Sequence, residues 1–170
     1  LFRPGTEEAH SHSAFTLLAA IVEKVSGRSY QEYLEEEFFR PFGMTKTGFY
    51  GSSSGFAAEE MAVGYGGDRV GDPNIPLNWG ATSWLVMGSG GMVSTPHDMY
   101  RWVRGIRGKH GLSEASLQVY GTGEVLSGGS DRGFYFLYVD DPSSAVFLAS
   151  NVHEHPRDRP VALARELARL

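Results

Sequence analysis

The sequence lacks cysteine, and this absence excludes disulfide bridges, thiolate nucleophiles and cysteine-ligated zinc. It also lacks any apolar run of about 18 residues, the length that suggests a membrane-spanning helix. Positive charge is scarce as well, because 15 Lys and Arg stand against 20 Asp and Glu and are scattered along the chain. Nucleic acid and anionic membranes are therefore poor candidates for partners, and no membrane span is predicted.

The composition is that of an ordinary globular domain. With 170 residues, 41% hydrophobic and 21% charged, the chain is long enough for one domain with a sizeable core. Most of the 22 glycines fall within 51–91 and 121–133, which predicts loops and tight turns there. Residues 1–6 show neither an initiator Met nor a secretory leader, so we expect an internal part of a longer protein, and the sequence assigns no compartment.

Two helices are predicted near the beginning of the chain. Residues 13–26 are apolar nearly all round, which predicts a helix buried on most sides, and Gly27 is a natural stop. Ser29 and Glu32 form a capping-box pattern that predicts the start of the second helix. Pro41 should end it.

The second half of the chain carries one strong helix signal and then strand signals. Thr95 is placed to cap a helix, with Asp98 closing the capping box. Residues 134–139 and 145–149 are apolar runs separated by a turn, which predicts an antiparallel hairpin. A last helix is expected at about 157–170.

These elements predict an α+β fold, with an antiparallel sheet flanked by helices. We expect the chain to form part of one domain. Its predicted order is a helical segment at 1–44, a long loop region at 45–94, helices at 95–119, antiparallel strands at 120–152 and a C-terminal helix at 153–170.

Three stretches together resemble serine β-lactamases of the class C type and their relatives, the DD-peptidases and β-lactamase-like esterases. The first stretch is Phe2-Arg3-Pro4-Gly5-Thr6 with residues 17–27, 30–34 and 41–49. The second is residues 90–99. The third is residues 127–129 and 133–134, followed by the hairpin that ends at Asn151. The resemblance covers nearly the whole chain. It implies a β-lactamase/transpeptidase-like fold whose N-terminal strands and nucleophile helix lie outside this chain.

The resemblance also implies a chemistry. Family members attack an ester, amide or β-lactam with a Ser one helical turn before a Lys that takes its proton, through an acyl-serine intermediate and without a cofactor. The residues three positions before the three lysines are Ile21 (before Lys24), Gly43 (before Lys46) and Ile106 (before Lys109). No Ser-x-x-Lys is present. We expect the motif upstream of Leu1, with decay of the site as the alternative, and we predict that this chain alone is inactive.

A second motif of the family, Tyr-x-Asn, corresponds to His10-Ser11-His12. An imidazole can carry a proton near neutral pH, so His10, with His12, is a candidate substitute base. The alternative is a pair of polar residues at a helix entrance.

The third motif is a Lys- or His-x-Gly strand that lines the other wall of the family's site. With one residue of slip it falls on Leu126-Ser127-Gly128, so Leu126 stands where a basic residue would bind a carboxylate. Ser127 becomes a candidate catalytic residue, and Gly128 and Gly129 become candidate oxyanion-hole and substrate-binding residues, with the Gly129 N–H as the candidate oxyanion donor. The loss of the basic residue favours an esterase or a non-catalytic binding or regulatory relative at least as much as a β-lactamase.

Two other patterns have simpler interpretations. His10/His12 and His153/His155 are His-x-His pairs, but both fall at predicted helix entrances or loops, so no metal site is predicted. Residues 51–55 fit G-x-S-x-G without the strand and helix that a nucleophile elbow needs, so a flexible loop is favoured.

The resemblance has a consequence for packing. The family sheet takes strands from both ends of the chain, so the hairpin here should have an open edge and uncovered apolar surface. We expect the isolated chain to be poorly soluble or to need the missing N-terminal segment as a partner. The other expected partner is a small-molecule ester, peptide or β-lactam substrate.

Overall fold

The computed structural model describes residues 2–51, 56–66, 73–108, 112–120, 124–141, 143–152 and 158–169. The helices are α1 (His12–Ser26), α2 (Tyr30–Leu34, extended by a π-helical turn at Glu35–Phe39), α3 (Trp84–Met87), α4 (Pro96–Arg107), α5 (Glu114–Tyr120) and α6 (Asp158–Leu167). The strands are β1 (Gly48–Phe49), β2 (Met92–Val93), β3 (Val125–Asp131), β4 (Phe134–Asp140) and β5 (Ala145–Ser150). In this part of the chain no helix is long and apolar enough to cross a bilayer.

The ends of α1 and the start of α2 follow their local sequence signals. Ser11 caps α1 by accepting a hydrogen bond from a first-turn N–H, and Gly27 ends it in the left-handed conformation at φ 72°. Ser29 and Glu32 form both halves of the capping box that opens α2. Both helix predictions are confirmed.

The prediction that α1 is buried on most sides is wrong. Leu17, Leu18, Ile21 and Val25 are exposed, Val25 to 83%, and Leu85 of the adjacent α3 is exposed to 72%. These five residues are called the α1–α3 apolar surface below. The two helices are joined where the Thr16 hydroxyl donates to the Leu85 carbonyl at 2.7 Å. The apolar pattern predicts the helix, but it does not tell whether other described residues pack against its apolar side.

The buried carboxylate of Asp98 links α4 to the segment after α2. Thr95 caps α4 as predicted, accepting from the Asp98 N–H at 3.1 Å. The Asp98 side chain does not close the capping box. It accepts instead from the Lys46 N–H, the Thr47 hydroxyl and the Arg101 guanidinium, at 2.7, 2.9 and 2.8 Å. A buried charge needs such donors, and the guanidinium is a stronger one than a neutral cap N–H.

The predicted loop region contains a small sheet that the sequence did not indicate. β1 and β2 pair antiparallel, with Gly48 opposite Val93 and Phe49 opposite Met92. Phe49 is completely buried. This pairing brings the two ends of the region together.

The main sheet is a three-stranded antiparallel meander in the order β3-β4-β5. Asp131 pairs with Phe134 around the two-residue turn Arg132-Gly133, whose φ angles of 51° and 77° define a type I′ turn. The predicted hairpin of β4 and β5 is confirmed. Among the described residues, neither β3 nor β5 has a further strand beside it, so both are edges of the sheet.

One face of this sheet packs on α6. Leu137, Val139 and Ala164 form a buried cluster, and partly buried apolar side chains of β4, β5 and α6 surround it. The opposite face carries aromatic rings, including Tyr138 stacked on Phe147 at 5.9 Å between centroids. Together these layers make an α+β fold, as the sequence predicts.

Candidate active site

A cavity of about 1210 Å³ lies between the aromatic face of the sheet and the helices. β3 contributes Ser127 and Gly128 to its wall, while α2 and α4 contribute Tyr30, Met99 and Trp102, among others. The wall is largely apolar. A space of this size, with a few polar groups in an apolar lining, is typical of a small-molecule site.

The register of β3 decides which side chains face this cavity. Ser127 is opposite Tyr138, and Leu126 is opposite Val139. Because side chains alternate between the faces of a strand, Ser127 shares the aromatic face with Tyr138, and Leu126 lies on the α6 face with Val139. Leu126 therefore does not occupy a cavity-facing position. With Ser127 on the cavity side, the Lys- or His-x-Gly motif can also be placed on Ser127-Gly128-Gly129, without the slip.

The same register separates the backbone groups of β3. A two-residue turn makes Asp131 and Phe134 a hydrogen-bonded pair, and such pairs alternate along an antiparallel ladder. The N–H of Gly129 is therefore directed at β4, opposite Phe136. The N–H groups directed at the open edge belong to Leu126, Gly128 and Ser130. The candidate oxyanion donor thus moves from Gly129 to its neighbours.

Gly128 and Gly129 also differ in the space around them. A Cβ at residue 128 would lie 2.4 Å from the carbonyl oxygen of Phe136, whereas a Cβ at 129 would meet nothing within 4 Å. Only glycine fits at 128 without a shift of the β4 backbone. This close approach holds the middle of β3 against its neighbour.

His10 and His12 form a pair at the entrance of α1. Their ring centroids are 4.9 Å apart and nearly perpendicular, and the His10 ring lies 5.8 Å from that of Phe15. Both residues are exposed. The structure thus joins the two imidazoles to each other, but neither lines the cavity to which Ser127 and Gly128 belong.

The sequence patterns with simpler interpretations fall largely outside the described residues. His153 and His155 lie there, as do residues 52–55 of the G-x-S-x-G match. In the part of the chain that is described, no group of three or more His, Asp and Glu is arranged to hold a metal ion.

Sequence reasoning missed the charged groups of the cavity wall. Lys46 pairs with Glu60 at 2.8 Å, and this hydrogen bond, with a second from the Ala57 N–H, holds the pKa of Glu60 below its usual value. The Arg132 guanidinium lies over the Trp79 ring, 4.7 Å from its centroid. The position of Arg132 directly before Gly133, in a two-residue turn between strands, is the one sequence feature that could have pointed to this residue.

Solved structures with the same fold set this geometry in context. The chain matches a D-amino acid amidase from Ochrobactrum anthropi SV3 complexed with D-phenylalanine, with a TM-score of 0.77 and 20% identity, over 97% of this chain and 59% of that one. It matches FmtA from Staphylococcus aureus with a TM-score of 0.74 and 21% identity, over 95% and 50%. The fold is therefore that of the β-lactamase/transpeptidase class.

Sequence comparison gives the family. The beta-lactamase family model matches residues 1–167, and the chain belongs to this family. It is 36% identical over 101 residues to the D-alanyl-D-alanine-carboxypeptidase/endopeptidase AmpH of Escherichia coli K12, covering 59% of this chain and 23% of that protein. It is 23% identical to penicillin-binding protein 4* of Bacillus subtilis, over 97% of this chain and 44% of that protein. The chain thus spans less than half the length of these two relatives.

Proposed function

We propose that this chain supplies the sheet wall of a serine hydrolase that transfers an acyl group from an amide, peptide or ester. The observation that carries the proposal is β3, which presents Ser127 and Gly128 to the cavity and leaves the Gly128 and Ser130 N–H groups at an open edge. Membership of the family supports the reaction class. The names of the relatives, a carboxypeptidase and a D-amino acid amidase, favour amide bonds next to D-amino acids.

The nucleophile and its base are proposed to come from polypeptide upstream of Leu1. A Ser hydroxyl attacks the substrate carbonyl carbon and passes its proton to the amine of a Lys one helical turn away. The carbonyl oxygen becomes an oxyanion and accepts hydrogen bonds from the open-edge N–H groups of Gly128 or Ser130. Collapse of this intermediate expels the amine or alcohol and leaves an acyl-serine, which water then hydrolyses.

His10 is proposed to move the proton that the departing group needs. Its position at the entrance of α1, held by the Ser11 cap, corresponds to the Tyr-x-Asn motif of the family. His12 packs against its ring and would orient it. Ser127, on the cavity-facing side of β3, would donate a hydrogen bond from its hydroxyl to the bound substrate.

The upstream polypeptide is also proposed to cover the α1–α3 apolar surface and the free edge of β5. Leu17, Leu18, Ile21 and Val25 of α1 and Leu85 of the adjacent α3 are large apolar side chains that a covering segment would bury. The AmpH and PBP 4* relatives are more than twice as long as the parts matched here, which leaves ample chain for this role.

A second candidate function is a binding or regulatory relative without turnover. The replacement of Tyr-x-Asn by His10-Ser11-His12, and of the basic residue by Ser127, favours it. Such a protein would keep the cavity and bind the same compounds without forming an acyl-enzyme.

The two candidates are separated by testing the protein together with its upstream coding segment. The hydrolase predicts covalent labelling by a fluorophosphonate and turnover of a nitrophenyl ester or a D-amino acid amide. Both should disappear when the Ser of the upstream Ser-x-x-Lys is changed to Ala. Failure of the longer protein to label or turn over any of these compounds, with binding retained, would select the binding protein.

A further inference from the structure

Two buried hydrogen-bond donors in the cavity wall have no acceptor among the described residues. They are Trp79 Nε1 and Arg132 Nε. The two side chains are in contact, because the guanidinium carbon of Arg132 lies 4.7 Å from the centroid of the Trp79 ring. Leaving such donors unpaired and buried is costly.

The charge around this pair favours an anionic acceptor. Of the other charged residues in the cavity wall, Lys46 and Glu60 neutralise each other at 2.8 Å. Asp131 lies 3.7 Å from the Arg132 guanidinium, and its side chain is 69% exposed, so water screens this contact. Of the two described cations that line the cavity, Lys46 and Arg132, it is thus Arg132 whose charge is less compensated.

The backbone fixes this pair in place. The Arg132-Gly133 turn is pressed against residues 64–65, since a Cβ at Gly64 would lie 2.0 Å from the Arg132 carbonyl oxygen and one at Gly133 would lie 2.4 Å from the Tyr65 nitrogen. The Trp79 ring is held edge-on against Tyr50 and Phe134, at 5.2 and 5.9 Å between centroids. A donor pair on rigid supports loses little entropy when it binds.

We infer that Arg132 and Trp79 form a subsite for a carboxylate of the substrate. The guanidinium supplies a charged, forked donor, and the indole supplies a second N–H. This subsite takes over the recognition of negative charge from the basic residue that β3 lacks at Ser127. The inference rests on the proposed function for the identity of the substrate, but binding to the subsite needs no turnover.

Three matched ligands test the inference and locate the carboxylate. N-acetyl-D-alanyl-D-alanine amide is neutral. N-acetyl-D-alanyl-D-alanine carries its carboxylate on the leaving residue, and N-succinyl-D-alanyl-D-alanine amide carries it on the acyl part. Affinity is measured on the longer protein with its upstream Ser changed to Ala, so that nothing is hydrolysed. The indole resonances of the three tryptophans, labelled with ¹⁵N, provide the local readout.

The variants exploit the conformation of the turn. Asn tolerates the left-handed conformation of residue 132 and precedes Gly well in a type I′ turn, so Arg132→Asn removes the cation and keeps the fold. Trp79→Phe removes the indole N–H together with part of the ring volume and keeps an aromatic ring at that position. Arg165→Gln, at an exposed ion pair with Glu124 on the other side of the sheet, is the matched control.

One carboxylate ligand should bind about tenfold or more tightly than the neutral amide and should shift the Trp79 indole resonance. Arg132→Asn should abolish this preference, Trp79→Phe should reduce it by about tenfold or less, and Arg165→Gln should not change it. Equal affinity for all three ligands, or a preference that survives Arg132→Asn, would overturn the subsite. If the longer protein with its Ser unchanged hydrolyses none of the compounds, but the indole resonance still shifts with the carboxylate ligand, the hydrolase is contradicted and the subsite is retained.

Discussion

Arg107 and Asp140 form an ion pair that joins the last residue of α4 to the last residue of β4. Arg107 Nε lies 2.9 and 2.7 Å from the two carboxylate oxygens, and its Nη2 donates to the Asp140 carbonyl at 3.3 Å. Asp140 is 1% exposed. Through this pair the helix that walls the cavity is tied to the strand that carries its aromatic rings.

Removing one partner of this pair should be strongly destabilising. Arg107→Met leaves the Asp140 carboxylate buried without its guanidinium, and we expect the free energy of unfolding to fall by about 3 kcal/mol. Urea unfolding of the longer protein measures this change. The double variant Arg107→Met/Asp140→Leu should recover a large part of the loss, because no charge then remains buried. A double variant as unstable as the single one would contradict this account.

Gly128 and Gly129 offer a matched pair of substitutions on β3. Gly128→Ala places a methyl group 2.4 Å from the Phe136 carbonyl oxygen, so the strands must separate, at a cost of about 1–3 kcal/mol. Gly129→Ala adds the same methyl group where nothing lies within 4 Å and should change stability by about 0.5 kcal/mol or less. Thermal melting of the two variants side by side decides the point. Equal destabilisation would show that the register is not as described.

The turn between β4 and β5 should make stability depend on acidity below about pH 4. Hydrogen bonds from the Ser143 hydroxyl and from the Ser143 and Ser144 N–H groups lower the pKa of Asp141 to about 2. The unfolded chain has the ordinary Asp value near 3.9. A lowered folded pKa means that the stabilisation is complete above the unfolded value and is lost as the pH falls toward 2.

Asp141→Asn removes this titration. Unfolding measured from pH 5 to pH 2 should therefore show a shallower loss of stability in the variant than in the unchanged protein. Curves that remain parallel across this range would contradict the assignment. Glu124→Gln, on an exposed ion pair, is a suitable control.

The α1–α3 apolar surface predicts opposite effects of one substitution in two proteins. Leu18→Glu should raise the solubility of the isolated 170-residue chain, because it breaks an exposed apolar patch. In the longer protein the same change should lower the free energy of unfolding by about 2 kcal/mol or more, because residue 18 is then covered. Sedimentation and urea unfolding measure the two effects. A neutral effect in the longer protein would show that the upstream polypeptide lies elsewhere.

The role proposed for His10 predicts a kinetic effect without a structural one. His10→Ala should lower kcat of the longer protein by about a hundredfold or more, as expected for loss of a general acid–base group. The exposed position of the residue means that the melting temperature should hardly change. His12→Ala, which removes only the neighbouring ring, should cost less. Unchanged kcat in His10→Ala would remove this residue from the proposed mechanism.

Local signals in the sequence were sufficient for much of the fold. The caps at Ser29 and Thr95 lie where the residues indicate, because a cap depends on side chains within three or four positions. The hairpin of β4 and β5 follows from two apolar runs around a turn. The family could be identified from motifs that are likewise short and continuous.

What the sequence could not provide depends on contacts between distant residues. The pairing of Gly48 with Val93 and the capture of the Lys46 N–H by Asp98 join positions that no local pattern connects. The exposure of α1 depends on which chain packs against it. The outward-facing N–H groups of β3 could have been predicted, however, because the two-residue turn at Arg132-Gly133 determines which amides of the strand face its open edge.

The meander of β3, β4 and β5 has a consequence for how the chain reaches its native state. Each strand pairs with its neighbour in sequence across a short turn, so loop closure costs little entropy and these contacts have low contact order. Hairpins of this kind form in about 1–10 microseconds. We therefore expect the meander to nucleate on its own soon after it leaves the ribosome, before the helices on the aromatic side of the sheet have docked.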